Sequence, residues 1–184
     1  CHGCPETSYS WRHQLRALAD AGYRAIALDM RGYGHTDSPA DVQSYSLMHL
    51  TGDIIGLMDV LNIEKAALAG NDWGATVAWH SARLRPDRFT GIVALGVPMM
   101  GRAPVPPTQL FPRTDDSLFY ALYFQESGVA EAELEKDIRT SLMKIYYGAS
   151  GDIGLRTDSS PNPFGMVQSR DGLLAPLPAI MPGF

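Results

Sequence analysis

A single carboxylate between two glycines is the feature of this sequence best suited to chemistry. Residues 70–74 read Gly-Asn-Asp-Trp-Gly, and they follow a short apolar run and precede a helical pattern. Small flanking residues let a strand turn sharply into a helix, and they leave the middle residue in a strained conformation. The side chain of Asp72 would then stand at the helix N-terminus, where free N–H groups stabilise an anion. The spacing predicts a nucleophile elbow with Asp72 as the nucleophile.

The chemistry of such an elbow depends on the type of its nucleophile. A carboxylate in place of the commoner serine indicates an ester-forming attack on a saturated carbon instead of acyl transfer. The same residues are also compatible with a structural role, in which Asp72 only caps a helix that follows a Gly-rich turn. The residues around Asp72 leave both interpretations open.

The two cysteines, Cys1 and Cys4, have the Cys-x-x-Cys spacing of redox dithiols and of half a zinc site. A redox pair needs a preceding strand, and none precedes these residues. A structural zinc ion needs about four ligands, yet the sequence has no second Cys pair and no spaced His pair. We therefore expect neither a metal ion nor a cofactor.

The composition limits the classes of protein to which the chain can belong. With 184 residues, of which 45% are hydrophobic and 19% are charged, it has the composition of a globular protein with a real core. Its formal net charge of -5 argues against a nucleic-acid partner or an anionic membrane surface. No stretch approaches the roughly 20 apolar residues of a membrane span, and none reads as a secretory signal. We expect a cytoplasmic enzyme, and its oligomeric state stays open.

Alternating helix and strand patterns surround the elbow. Strand patterns cover residues 23–29, 66–69 and 91–96, and the last of these reads as a buried strand. Helical patterns precede each strand, over residues 11–18, 46–61 and 73–85. This alternation predicts an α/β fold with a mostly parallel sheet, whose ligands bind beyond the C-terminal ends of the strands.

A change in composition after Pro98 predicts a second module. Four prolines between residues 104 and 112 exclude regular helix or sheet there, and helical patterns resume at Ser117. A short helix is expected over residues 118–125 and a longer one over 130–147, with a buried face formed by Leu134, Ile138, Leu142 and Ile145. Asp152 and Asp158 read as turn residues. We predict one domain over residues 1–98 and another over 99–184.

Three blocks of residues, 2–6, 70–75 and 120–126, together resemble the epoxide hydrolases of the α/β-hydrolase fold. Residues 29–34 and 128–135 are similar to the same family. The resemblance, to the soluble type of these enzymes, implies an α/β-hydrolase core with helices on both faces of the sheet over residues 1–98. It also implies an inserted helical cap over 99–184. Since neither end looks like a domain boundary, we expect a fragment that is incomplete at both ends.

The resemblance also implies roles for individual residues. Asp72 would attack an epoxide carbon, Tyr120 of the cap would donate a proton to the ring oxygen, and Tyr123 would pack in the cap. The backbone N–H groups of Cys4 and Trp73 would form the oxyanion hole. No histidine of the chain matches the family's base, so we expect the chain alone to lack multiple turnover.

Two residues depart from the family pattern, and they keep alternatives open. Cys4 stands where the family usually has an aromatic residue, and Asn71 stands where it usually has histidine. Haloalkane dehalogenases share the Asp-Trp pair of the elbow but favour Asn at the position of Cys4. A non-catalytic binding protein on the same fold is the third alternative.

The expected substrate is a small hydrophobic epoxide, because the residues placed near the nucleophile are mostly apolar. By position, the residues expected to line its pocket with Cys4 are Trp73, Thr76, Val97, Pro98, Met100 and Leu118.

Overall fold

The computed structural model describes residues 1–150, 166–168, 172–175 and 177 of the chain. These residues belong to two compact units, Cys1–Gly101 and Arg102–Phe184. The assignment of a hydrolase core to residues 1–98 and of a cap to 99–184 stays a prediction. None of the helices in the described part of the chain has the length and apolar character that crossing a membrane requires.

The first unit contains the strand and helix elements that carry the elbow. In chain order these are α1 (Arg12–Asp20), α2 (Leu47–Val60), β1 (Ala66–Asn71), α3 (Trp73–Leu84) and β2 (Phe89–Leu95). The two strands are parallel, with Ala67 beside Gly91 and Asn71 beside Leu95. This confirms the predicted parallel β–α–β arrangement, in which the elbow follows the carboxyl end of β1.

The helices of this unit begin and end at residues that favour helix termini. Gly22 has φ +86° just beyond α1, a left-handed conformation that favours glycine at a helix C-terminus. The Ser46 hydroxyl accepts a hydrogen bond from the His49 N–H at the start of α2. The last helix, α3, stops at Leu84, shortly before Pro86.

The core of the first unit lies between α2, α3 and one face of the two strands. Its buried members include Ile54 and Met58 of α2 and Val77 of α3, and Leu68 of β1 packs against them. Ala75 and Ala78 are fully buried, so α3 approaches the strands closely. The Thr51 and Ser81 hydroxyls share a hydrogen bond of 3.1 Å, which satisfies two buried polar groups between α2 and α3.

Two predictions for this unit are wrong. Residues 23–29 form no strand, because a strand requires hydrogen-bonded partners and the described residues provide none along this segment. The strand β2 forms, but it is not buried: Val93 and Leu95 are 54% and 46% exposed. Alternate residues of a strand point to opposite faces, and these two point away from the face that α3 covers.

The second unit contains short elements. They are β3 (Ser117–Phe119), α4 (Tyr120–Tyr123), α5 (Val129–Leu134), α6 (Ile138–Ala149) and β4 (Met166–Gln168). The strands β3 and β4 are antiparallel, with Ser117 beside Gln168. The predicted helix over 118–125 is therefore wrong at its start, because pairing with a distant segment holds residues 117–119 in an extended conformation.

The predicted long helix over 130–147 is divided into α5 and α6 by a 3-10 turn at Glu135–Asp137. Asp137 has an extended backbone, and its carboxylate accepts a hydrogen bond from the Thr140 N–H, so α6 starts anew there. Ile138 is 60% exposed, which contradicts its predicted burial. The predicted turns at Asp152 and Asp158 lie outside the described residues.

Candidate active site

Asp72 occupies the strained turn between β1 and α3. Its backbone has φ 53° and ψ -121°, a conformation that residues other than glycine rarely adopt. The Asp72 N–H donates to the Leu95 carbonyl at 3.1 Å, which ties the turn to the end of β2. The side chain makes no capping hydrogen bond to α3, so the interpretation of Asp72 as a simple helix cap is wrong.

The glycines on either side of Asp72 are required by close backbone contacts. A Cβ atom at Gly70 would overlap the Gly74 carbonyl and would lie 2.6 Å from the Ala75 nitrogen. A Cβ atom at Gly74 would overlap the Cys1 carbonyl and would lie 2.5 Å from the His2 carbonyl oxygen. Since only backbone lies at these distances, the Gly-x-Asp-x-Gly spacing follows directly from the packing of the turn.

Residues 1–6, which we call the oxyanion turn after the role predicted for Cys4, lie against this elbow. The Cys4 N–H donates a hydrogen bond to Asp72 Oδ1 at 3.1 Å. Gly3 lies under the Asp72 side chain, where a Cβ atom would come within 2.5 Å of Asp72 Cβ. The Cys4–Pro5 peptide bond is cis. The structure thus brings Cys4 and Asp72 together across 68 residues of sequence.

The second predicted donor, the N–H of Trp73, belongs to the first residue of α3. An N–H group in this position has no carbonyl partner within its own helix, and it stays available to an anion near the helix N-terminus. The Trp73 residue is 47% exposed. Its backbone adjoins Asp72, and its ring lies at the surface.

His2 is fully buried and is held at both ring nitrogens. Its Nε2 accepts a hydrogen bond from the Met30 N–H at 2.9 Å, and its Nδ1 lies 2.8 Å from the Gly3 carbonyl oxygen. A peptide N–H only donates and a carbonyl only accepts, so Nδ1 carries the proton. Both nitrogens are occupied, and His2 therefore acts in the structure of the turn and not as a base.

Two further residues of this region were not predicted from the sequence. The Glu6 carboxylate accepts hydrogen bonds from the Gly3 N–H and the Asn71 side chain. The Tyr33 ring packs edge-on against His2, with 4.8 Å between the centroids, and burial raises the pKa of its hydroxyl above the ordinary value. Tyr33 lies in a Gly-rich loop and Glu6 follows a proline, so the sequence around neither residue indicates a role in the site.

The thiol of Cys4 lies near Asp72 but is poorly suited to act as a nucleophile itself. Desolvation is the main cause that raises the pKa of this thiol, and the charges of Asp72 and Glu6 act in the same direction. They outweigh the opposing hydrogen bond with Tyr33. At neutral pH the protonated thiol is a weak nucleophile, although Cys4 is exposed to solvent.

Four of the six residues predicted to bind substrate line one small cleft at the side of α3. The lining residues of this cleft are Thr76, Trp79, His80, Arg83, Val97, Pro98, Met99 and Met100. Its volume is about 40 Å³, far below the roughly 300 Å³ or more of ligand pockets. Trp73 is not among the lining residues, and Leu118 belongs to the second unit.

The predicted cap residues lie where β3 meets α4. Leu118 is in β3 and pairs with Val167, and Tyr120 is the first residue of α4. The Tyr120 ring contacts Phe119 and Phe124, at centroid distances of 4.5 and 5.8 Å. Aromatic contacts on both sides fix the position of this phenol within the second unit.

Tyr123 has a clear structural partner. Its hydroxyl donates to the Glu133 carboxylate at 2.7 Å. Burial, together with this bond and the Glu133 charge, raises the pKa of Tyr123 to about 12. The Glu133 carboxylate also accepts hydrogen bonds from the N–H groups of Leu173 and Leu174, at 3.0 and 2.8 Å. Glu133 therefore joins α5 to the turn at residues 173–175.

Within the described residues, no three His, Cys, Asp or Glu side chains are grouped as a metal site requires. The metal-site candidate in the sequence is the pair Cys1 and Cys4. Cys1 is buried, Cys4 is exposed, and both thiols are free.

Comparison with known proteins gives consistent matches. A family profile described as "alpha/beta hydrolase fold" matches residues 1–156. Epoxide hydrolase A of Mycobacterium tuberculosis is 47% identical over 148 residues, which are 80% of this chain and 46% of that protein. An epoxide hydrolase of Caballeronia sordidicola is 46% identical over 155 residues, 82% of this chain and 46% of that protein.

Solved structures show the same relation. The structure titled "Epoxide hydrolase from an endophytic Streptomyces" superposes with a TM-score of 0.85 at 42% identity, and the match covers 97% of this chain and 55% of that one. The chain thus spans about half the length of the curated relatives it matches, 46% in the two named above.

Proposed function

The chain belongs to the alpha/beta hydrolase fold family, and we propose that it opens epoxides to vicinal diols through an ester on Asp72. The observation that carries this proposal is a carboxylate at the strained elbow, with Oδ1 held by the Cys4 N–H. The names of its relatives, which are epoxide hydrolases at 46% to 47% identity, support the same activity.

The hydrogen bond from Cys4 distinguishes the two oxygens of Asp72. Oδ1 is engaged by the N–H, so Oδ2 is the oxygen that attacks an epoxide carbon. The C–O bond of the ring breaks as the new ester bond forms, and the ring oxygen takes a proton from the Tyr120 hydroxyl. The product of this step is a hydroxyalkyl ester of Asp72.

The second step releases the diol. Water adds to the carbonyl carbon of the ester, and negative charge develops on Oδ1, beside the N–H groups of Cys4 and Trp73. Collapse of this intermediate breaks the ester C–O bond, and the leaving oxygen of the diol takes up one proton of the added water. The other proton of that water passes to the Tyr120 phenolate, which restores both the phenol and the Asp72 carboxylate. Each N–H donor of an oxyanion hole contributes about a hundredfold to a thousandfold to the rate of such a step.

This second step needs a base, and no histidine of the chain is assigned to it. His2 is held at both nitrogens. His80 lies eight residues beyond Asp72 on α3, about 12 Å along the helix axis at a rise of 1.5 Å per residue. We therefore propose that the chain by itself forms the ester and does not turn it over.

The proposed substrate is a small hydrophobic epoxide. The apolar residues Val97, Pro98 and Met100 follow the carboxyl end of β2, which lies beside Asn71, and they support this class. The proposal places the enzyme in the cytoplasm, in keeping with its composition, and assigns it no nucleic-acid partner because its formal net charge is -5.

The experiment that tests the activity compares an aliphatic epoxide with a haloalkane of the same carbon skeleton. Ring opening on Asp72 adds the whole mass of the epoxide to the protein, whereas a haloalkane would add its alkyl group and release halide. We expect the epoxide adduct by intact mass, no adduct on Asp72→Asn, and no halide release. Halide release without an epoxide adduct would instead assign the chain to carbon–halogen chemistry, and no reaction with either compound would favour a binding protein.

A further inference from the structure

Both backbone polar groups of Gly3 are held in place. The Gly3 carbonyl accepts from the Glu6 N–H at 3.1 Å and from His2 Nδ1 at 2.8 Å. The Gly3 N–H donates to Glu6 Oε2 at 3.3 Å. A trans peptide unit is planar, with its C=O and N–H pointing in opposite directions. Fixing the Gly3 carbonyl therefore also fixes the direction of the Cys4 N–H, which points at Asp72 Oδ1.

Glu6 also joins this turn to the elbow. The oxygen that accepts the Gly3 N–H also accepts the Asn71 side-chain amide, at 3.4 Å. Asn71 precedes the nucleophile directly, and its own N–H donates to the Cys1 carbonyl at 3.1 Å. Asn71 thus contacts the oxyanion turn twice: its backbone N–H bonds to Cys1, and its side-chain amide bonds to Glu6.

The chemical types of the two side chains suit this contact. The charges of Glu6 and Asp72 both raise the pKa of the Cys4 thiol, so the two carboxylates lie in the same region. Hydrogen-bond donors stabilise the Glu6 carboxylate beside this second negative charge. A neutral carboxamide at position 71 donates to Glu6 without adding charge beside the nucleophile. An acidic side chain there would place a third carboxylate in this region and would repel Glu6.

We propose that Glu6 and Asn71 form a positioning pair, which holds the oxyanion turn against the elbow so that the Cys4 N–H stays directed at Asp72 Oδ1. The inference rests on the proposed role of Cys4 as an oxyanion donor. A hydrogen bond weakens steeply when its angle falls toward 120°, and a displacement of about 1 Å at a reacting group can cost a hundredfold in rate. The pair therefore affects the rate of the bound complex more than the binding of the epoxide.

The test reverses the polarity of the pair. In Asn71→Asp the side chain keeps its size, but its donor becomes an acceptor that faces Glu6. In the double variant Glu6→Gln with Asn71→Asp, the new amide nitrogen can donate to the new carboxylate and the new amide oxygen can accept the Gly3 N–H, so two atoms divide the contacts that one Glu6 oxygen makes in the wild type. Asn62→Asp, the same substitution in an exposed turn after α2, is the matched control.

The rate of adduct formation on Asp72 is measured against epoxide concentration. We expect Asn71→Asp to lower the rate at saturation by roughly ten- to a hundredfold and to leave the half-saturating concentration unchanged. We expect the double variant to return to within about threefold of the wild type, in line with a coupled pair of contacting residues. Asn62→Asp should behave as the wild type. An Asn71→Asp rate equal to that of the wild type, or a double variant as slow as the single one, would overturn the pairing.

Amide hydrogen exchange of residues 1–6 provides a readout that does not depend on activity. Asn71→Asp should accelerate exchange at Gly3 and Cys4, and the double variant should restore protection. If the wild type forms no adduct, the proposed function fails, whereas the exchange result still decides the pair. If Asn71→Asp does not fold, restored folding in the double variant supports the pair, and its absence refutes it.

Discussion

The elbow and the segment around Tyr120 are held by different kinds of contact. At the elbow, backbone packs on backbone: Gly70 and Gly74 leave no space for a Cβ atom, and the Cys4 N–H reaches Asp72 directly. Around Tyr120, aromatic rings pack on one another through Phe119 and Phe124. The elbow therefore fixes Asp72 through the backbone, whereas the other segment fixes the Tyr120 ring through side chains.

The two regions therefore differ in the substitutions that they tolerate. A close backbone contact cannot accept even one methyl group without moving the chain. A packed ring can lose a hydroxyl and keep its shape, so a substitution there reports on chemistry instead of folding. The following variants sharpen the contrast, in order of the effect expected.

The largest effect is expected from Gly74→Ala. The new methyl group would lie 2.5 Å from the His2 carbonyl oxygen and would push the oxyanion turn off the elbow. We expect the adduct on Asp72 to be lost and the free energy of unfolding to fall by about 1–3 kcal/mol, as in overpacked cores. Chemical denaturation and intact mass measure the two quantities.

Gly52→Ala is the matched control for this variant. Gly52 lies within α2, and a Cβ atom there meets nothing within 4 Å. Alanine should raise the free energy of unfolding by about 0.5–1 kcal/mol through its helix propensity and leave the adduct unchanged. If the two variants behaved alike, the backbone contact at Gly74 would not be the reason for its glycine.

A smaller effect is expected from Tyr120→Phe. Loss of the proposed proton donor should slow adduct formation by roughly tenfold to a thousandfold, as for removal of one general acid. The time course of the adduct by mass spectrometry provides the rate.

Tyr123→Phe serves as the comparison, because the Tyr123 hydroxyl is bonded to Glu133. It should leave the rate unchanged and lower the free energy of unfolding by about 1 kcal/mol through the lost hydrogen bond. The opposite assignment, with a slow Tyr123→Phe and a normal Tyr120→Phe, would move the proposed acid to the other tyrosine.

The parts that sequence reasoning predicted are those whose constraints lie between neighbouring residues. The Gly-x-Asp-x-Gly spacing encodes the turn at Asp72, and the helical periodicity of residues 46–61 encodes α2. Both depend on contacts within a few residues or on one amphipathic face. The parallel pairing of β1 with β2 follows from the lengths of the elements between them.

The parts that it missed depend on contacts between distant residues. The extended conformation of residues 117–119 comes from pairing with residues 166–168, which no local pattern reveals. The role of Glu6 is visible only when Asn71, 65 residues further on, is placed beside it. The division of the long predicted helix at residues 135–137 has a local cause instead, because capping of α6 by the Asp137 carboxylate prevailed over continued helical periodicity.

In the proposed mechanism Asp72, and not the neighbouring Cys4 thiol, is the nucleophile. Peptide mapping of the chain after reaction with a hydrophobic epoxide at pH 7 distinguishes the two residues. We expect one adduct on the peptide that contains Asp72, cleaved by hydroxylamine as an ester is, with Cys4 unmodified because the pKa of its thiol is raised. A hydroxylamine-stable thioether on Cys4, with Asp72 unmodified, would overturn the assignment of Asp72 as the nucleophile.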